Sequence, residues 1–146
     1  MMRVASTILA ASVTVALAFT PAAAATCTIS PQGVSFGNYD TLDPQPLDGV
    51  GNISVRCDAE TAFTISLGSG AGSYSVRQMA SGANVLEYNL YTDPSRLTVW
   101  GDGSAGSVTV SDTASTAEKA IYGRVPARQN VPAGLYNDVI VVTIVY

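Results

Sequence analysis

The chemistry that this chain could perform is narrowed first by what its side chains lack. Its 146 residues contain no histidine, so neither a Ser-His-Asp nor a Cys-His nucleophilic centre can be built. A serine–lysine dyad would have to use Lys119, and its neighbours Thr116 and Ser115 do not give a Ser-x-x-Lys motif. The eleven acidic residues are scattered over turn-like stretches and give no glycosidase-type pair. Asp93 and Asp102 sit in Asp-Pro and Gly-Asp-Gly contexts, where turn formation explains them and calcium-loop spacing is absent. Gly68-Ser69-Gly70-Ala71-Gly72-Ser73 lacks the Gly-Lys-Ser/Thr ending of a phosphate loop and reads as a flexible hairpin loop. The sequence therefore predicts a non-catalytic protein with no metal site and no cofactor.

The remaining reactive residues are two cysteines, and their compartment decides their chemistry. Arg3, the apolar run from Val4 to Phe19 and the small residues Pro21-Ala22-Ala23-Ala24-Ala25 form an export leader over residues 1–25. Residues 26–146 are then one exported domain with no membrane span after leader removal. In an oxidising compartment a lone pair of cysteines forms a bridge, so Cys27 is expected to pair with Cys57. Losing Arg3 with the leader reduces the seven basic residues by one against eleven acidic ones, a net charge of about −5. With so few basic residues and no basic run, nucleic acid is excluded as a partner.

The elements that hold these residues are strands. Ile53, Val55 and Cys57 alternate, as do Phe63, Ile65 and Leu67, and an acidic turn over Asp58 to Thr61 suggests a hairpin between them. Cys27, Ile29, Val34 and Phe36 outline a first strand interrupted at Pro31-Gln32-Gly33, and Leu86, Tyr88 and Leu90 share one face of another, with Glu87 and Asn89 opposite. Ser107 to Val110 and Ala120 to Val125 read as two further strands. No helical period appears after residue 25. Seven or eight short strands with turn-rich connections predict an all-β sandwich. Val139 to Tyr146 is uncharged and β-branched or aromatic throughout, so neither face is made for water. Ile140, Val142, Ile144 and Tyr146 point one way along it. Alone, that stretch fits either an interior strand or the edge of an open groove.

Several short motifs, in order, carry a family resemblance. Cys27-Thr28-Ile29, Val34 to Tyr39, Ile53 to Cys57, Arg77-Gln78-Met79 and Leu86 to Asp93 are followed by Trp100-Gly101-Asp102-Gly103, Tyr122-Gly123-Arg124 and Gly134 to Asp138. Together they resemble the spore coat protein U domain, which is shared with subunits of archaic, Csu-type chaperone-usher pili. The resemblance implies an incomplete immunoglobulin-like sandwich lacking its last strand. It implies a periplasmic chaperone and an outer-membrane usher as partners, and neighbouring pilin-like subunits joined by strand complementation. It places Ile140, Val142, Ile144 and Tyr146 on the edge that pairs with chaperone or donor.

Polymerising pilins carry an alternating extension before the first cysteine, whereas cleavage after Ala24 or Ala25 leaves this chain little beyond Thr26. That departure implies an acceptor at a fibre tip or in a minor position. Two other readings stay open: a secreted coat or matrix protein of the same fold, and a small carbohydrate-binding adhesive module using Trp100, Tyr91 and Tyr74 near loops.

Overall fold

The computed structural model describes residues 23–146; the leader assigned to 1–25 lies almost wholly outside them. The described residues contain no helix and six strands: β1 (Cys27–Gln32), β2 (Leu47–Leu67), β3 (Arg77–Ser81), β4 (Asn84–Tyr91), β5 (Val110–Val125) and β6 (Val142–Val145). All named pairings are antiparallel, in the order β1-β2-β5-β4-β3, with β6 also on β2.

The spine is the ladder between β2 and β5, which runs from Leu47↔Val125 to Ile65↔Val110. The expected hairpin at Asp58 to Thr61 does not form. Instead β2 continues for 21 residues, and its register against β5 shifts between Arg56 and Thr61. Cys57 to Glu60 stand opposite Ser115 alone, a bulge that leaves residues unpaired and bends the ribbon. The polar residues that looked like a turn are the bend of one long strand. The strand expected at Ala120 to Val125 is the end of the longer β5, because β2 offers a partner for the polar stretch before it. Of the strand expected at Ser107 to Val110 only Val110 belongs to β5, and Val108 forms an isolated bridge with Trp100. Fewer, longer strands replace the seven or eight short ones, and Gly68 to Ser73 is a connector to β3 rather than a hairpin loop, since β2 and β3 do not pair.

Beyond the bend the free side of β2 changes neighbour. Residues 52–57 pair with β1, and residues 64–67 pair with β6. The sheet curls over its inward residues, giving an immunoglobulin-like β-sandwich. Alternation fills the space between its faces: Ile53, Val55, Phe63, Ile65 and Leu67 from β2, Ile121 and Val125 from β5, Leu86, Tyr88 and Leu90 from β4, and Met79 from β3. Trp100 stitches the curl. Its indole N–H donates to the Ile65 carbonyl at 3.1 Å, and its main-chain N–H donates to the Leu90 carbonyl at 2.9 Å.

Cys27 and Cys57 are bridged and face each other across the β1–β2 ladder, with Cα atoms 4.1 Å apart. The Asp58 N–H donates to the Thr26 carbonyl at 3.1 Å, and the Thr26 N–H donates to the Asp58 carboxylate at 3.0 Å, so the tie extends one residue beyond the strand. The bridge secures β1 at the residue where β2 begins to bend. Closing 30 residues of separation, it contributes about 3–4 kcal/mol in the chain-entropy model. Replacing both cysteines with serine is expected to lower the unfolding free energy by that amount in urea titration, and an unchanged midpoint would contradict this role.

Candidate functional site

A cavity of about 410 Å³ with a mostly apolar lining opens into the core among the described residues. Its floor carries Leu67, Met79, Leu86, Tyr88, Leu90 and Ile121. One wall is the segment 33–37 after β1. The other is the chain from Leu135 to Val142.

The main-chain hydrogen bonds give these walls their chemical character. The Gly68 N–H donates to the Val141 carbonyl at 2.9 Å, and β6 continues in the register Leu67↔Val142 to Thr64↔Val145. Main-chain groups alternate in direction along an antiparallel strand. Those of Val141, Thr143 and Val145 therefore point to β2, and those of Val142 and Ile144 point to the free side. On the opposite wall, residues 33–38 make no main-chain hydrogen bond among the described residues. The walls meet at one end, where Tyr39 bridges Gly134, and the buried Tyr39 hydroxyl donates to the Pro126 carbonyl and accepts from the Gln129 N–H at 2.7 Å.

The C-terminal wall is held in place by a polar clamp. Ala80 and Asn137 exchange two main-chain hydrogen bonds, at 2.9 and 3.0 Å. The Asp138 carboxylate accepts from the Tyr88 hydroxyl at 2.6 Å and from the N–H groups of Ala71 and Val139. Chain 137–141 thus crosses from the edge of β3 to the edge of β2. This crossing explains why the strand expected from Val139 to Tyr146 is regular only over Val142–Val145.

Side chains from that stretch also divide differently from expectation. Ile140 and Val142 line the cavity, and Ile144 packs against the core. Tyr146 does not reach the cavity; it is 53% exposed beside Ala62, Phe63 and Thr64 on the outer surface. The opposite face is open to solvent, with Val139 82%, Val141 66% and Val145 66% exposed. Both faces looked apolar in the sequence, but only one is turned toward the core because β6 lies at the edge of the curl.

The aromatic trio proposed for surface recognition is not brought together as a platform. Trp100 is 1% exposed and its N–H is used, so it presents no face to a ligand. Tyr74 lies beneath the Arg77 guanidinium, 5.5 Å from its ring centroid, and Tyr91 stands opposite Tyr122 on the neighbouring strand.

Arg77 is the buried group that sequence reasoning missed, having entered only as part of a matching motif. Its guanidinium donates twice to the Gly68 carbonyl at 3.1 and 2.8 Å, to the Trp100 carbonyl at 2.7 Å, and to Asn89 Oδ1 at 2.6 Å. Asn89, on the face opposite Leu86, Tyr88 and Leu90, is buried in this network and donates to the carbonyls of Tyr74 and Ser75. Burial lowers the pKa of Arg77, and nearby tyrosines and Asp138 oppose that shift. Its ordinary pKa is high enough to keep the cation charged. Burial and the bond to Asp138 raise the pKa of Tyr88 far above the usual phenol range.

A curled antiparallel sheet, a disulfide-tied first strand and an apolar groove between two main-chain edges define an immunoglobulin-like fold of the pilin kind. The fold matches the crystal structure of the CsuC–CsuE chaperone–tip adhesion subunit pre-assembly complex from archaic chaperone-usher Csu pili of Acinetobacter baumannii. The TM-score is 0.60 and the identity 21%, over 84% of this chain and 40% of the matched chain. The chain belongs to the Spore Coat Protein U domain family, whose model matches residues 11–143. Protein U of Myxococcus xanthus is 34% identical over 162 residues, covering 89% of this chain and 90% of that protein.

Two outcomes follow from the polar groups around the groove. Arg77→Met leaves the Gly68 and Trp100 carbonyls and Asn89 without their donor, and is expected to cost about 3 kcal/mol or more in chemical denaturation. Tyr88 has a folded-state pKa above its unfolded value. Its contribution is therefore complete below the ordinary tyrosine pKa of 10.0 and is lost as pH rises beyond it, by at most about 1.4 kcal/mol per pH unit. Stability measured from pH 8 to 11 should decline more steeply for the wild type than for Tyr88→Phe; equal slopes would contradict the assignment.

Proposed function

We propose that this protein is an exported, non-catalytic structural subunit of a chaperone-usher-type surface fimbria, and that its groove accepts a strand from another chain. The observation that carries this reading is the pair of facing main-chain edges, residues 33–38 and Val142–Ile144, across an apolar cavity. An extended strand laid between them would complete both sets of hydrogen bonds and place alternate side chains over the floor. The edge stretch is uncharged from Val139 to Tyr146, so it carries none of the charges that natural proteins use to block edge pairing. Ile140, Val142 and Ile144 are the groove-side residues in this reading; Tyr146 contributes at most its main chain.

A periplasmic chaperone fills the groove first in this scheme, an outer-membrane usher receives the complex, and a neighbouring pilin-like subunit then supplies the permanent strand. Residues 1–25 act as the export leader and 26–146 as the domain, which passes through the periplasm to the cell surface. The scarcity of chain between the leader and Cys27 favours a tip or minor position. The matched complex supports this placement by analogy, since its subunit is a tip adhesion subunit bound to a chaperone. A coat or matrix role is the second reading, favoured by the description of the family, the Spore Coat Protein U domain.

Export of the full chain with a chaperone of the CsuC kind should yield a soluble one-to-one complex, and export without it should yield aggregated or degraded protein. Val142→Asp would bury a carboxylate in the groove and should reduce co-purification at least about tenfold. A chain that is monomeric and cooperatively folded without any partner, or capture unaffected by Val142→Asp, would overturn the acceptor reading.

A further inference from the structure

Near one end of the longest ladder, two glycines face each other. Gly49 of β2 is the register partner of Gly123 of β5, and Gly51 follows two residues along β2. By alternation with Ile53, Val55, Ile121 and Val125, all three look into the core. Glycine inside a strand sacrifices packing and costs conformational entropy, so three on one inward patch require a close approach by something else.

What approaches is the chain's own segment after β1. A Cβ on Gly123 would stand 2.5 Å from Phe36 Cζ and 2.8 Å from Val34 Cγ1. On Gly49 it would stand 2.8 Å from the Ser35 carbonyl oxygen and 2.8 Å from Val34 Cγ1. On Gly51 it would meet the Gln32 carbonyl oxygen at 2.6 Å and Val34 Cγ2 at 2.9 Å. Val34 and Phe36 are spaced by two and seat into this slot, and Phe36 also meets Tyr88 edge to face at 6.0 Å between ring centroids. Segment 33–38 has no main-chain bond to hold it among the described residues, so side-chain seating takes the place of a ladder.

We propose that Gly49, Gly51 and Gly123 are positioning residues for strand acceptance: by seating Val34 and Phe36 they hold segment 33–38 as the second rail of the groove. The rail then stands at the separation from β6 that admits one uncharged extended strand with alternating apolar side chains. This inference rests on the strand-acceptor reading. An alanine at position 123 displaces the Phe36 ring and Val34, and moves the rail without touching β6. The loss should therefore appear in strand acceptance, and it should depend on the two side chains that are displaced.

The test attaches a strand to the exported full-length protein after Tyr146, through a short glycine-asparagine turn. One fusion carries eight residues alternating valine and threonine, and its control carries prolines at the valine positions. The difference in melting temperature between the two reads the benefit of filling the groove. For the unmodified groove we expect the alternating strand to add about 10 °C. Gly123→Ala should remove at least half of that gain, whereas Gly123→Ala with Val34→Ala and Phe36→Leu should gain no less than the protein carrying Val34→Ala and Phe36→Leu alone, because both colliding groups are gone. If the unmodified protein gains nothing from the strand, the acceptor reading itself falls, and this inference with it. If it gains and Gly123→Ala gains equally, or if the triple variant is worse than the protein carrying Val34→Ala and Phe36→Leu alone, the acceptor reading stands and the glycine seat is overturned.

Discussion

The ladder between β2 and β5 is the constraint on which the other elements depend. Two strands of 21 and 16 residues cannot remain flat and still enclose a core, so the ribbon must bend, and it does so where Cys57 to Glu60 bulge opposite Ser115. The bend decides which strand may use each half of the free side of β2. Before it, β1 pairs and is secured by the disulfide; after it, β6 pairs. The groove opens because segment 33–38 leaves β2 at this side and crosses the inner face, while the C-terminal chain comes to β2 from the edge of β3.

Much of the inward pattern was legible in the sequence because period-two alternation is local. Ile53, Val55, Phe63, Ile65, Leu67, Leu86, Tyr88 and Leu90 are buried as their spacing requires, and β4 occupies Asn84 to Tyr91 as expected. Strand continuity was not legible. Asp58 to Thr61 has the composition of a turn, and only the partner strand determines whether such residues reverse the chain or bulge within it. The polar middle of β5 was obscured for the same reason: its hydrogen bonds depend on β2, far away in sequence.

The site was legible in part. An uncharged C-terminal run marked one wall, and matching motifs gave that wall a role. Exposure on its outer face was hidden, since β-branched residues have the same composition whether they face a core or solvent. Arg77 was hidden for a different reason. A single arginine in a sequence gives no sign that three carbonyl and amide oxygens converge on it, and those acceptors come from Gly68, Trp100 and Asn89. Gly123 entered only as part of a matching motif, because a missing side chain shows its purpose only when the occupying side chain is known.

Two different kinds of force therefore hold the two sides of the groove. The C-terminal wall is fixed by directional bonds: the Ala80–Asn137 exchange, the Asp138 clamp and the β6 ladder. The other wall is fixed by fit, with Val34 and Phe36 in a slot made by absent side chains. Directional bonds set register, because a slip of one residue would turn Ile140 and Val142 outward. Fit without main-chain bonds leaves the facing edge free to form new ones. A groove built in this way is defined on one side and receptive on the other. That asymmetry is what strand addition requires, since an incoming strand must find a fixed register along one edge and unspent hydrogen-bonding groups along both.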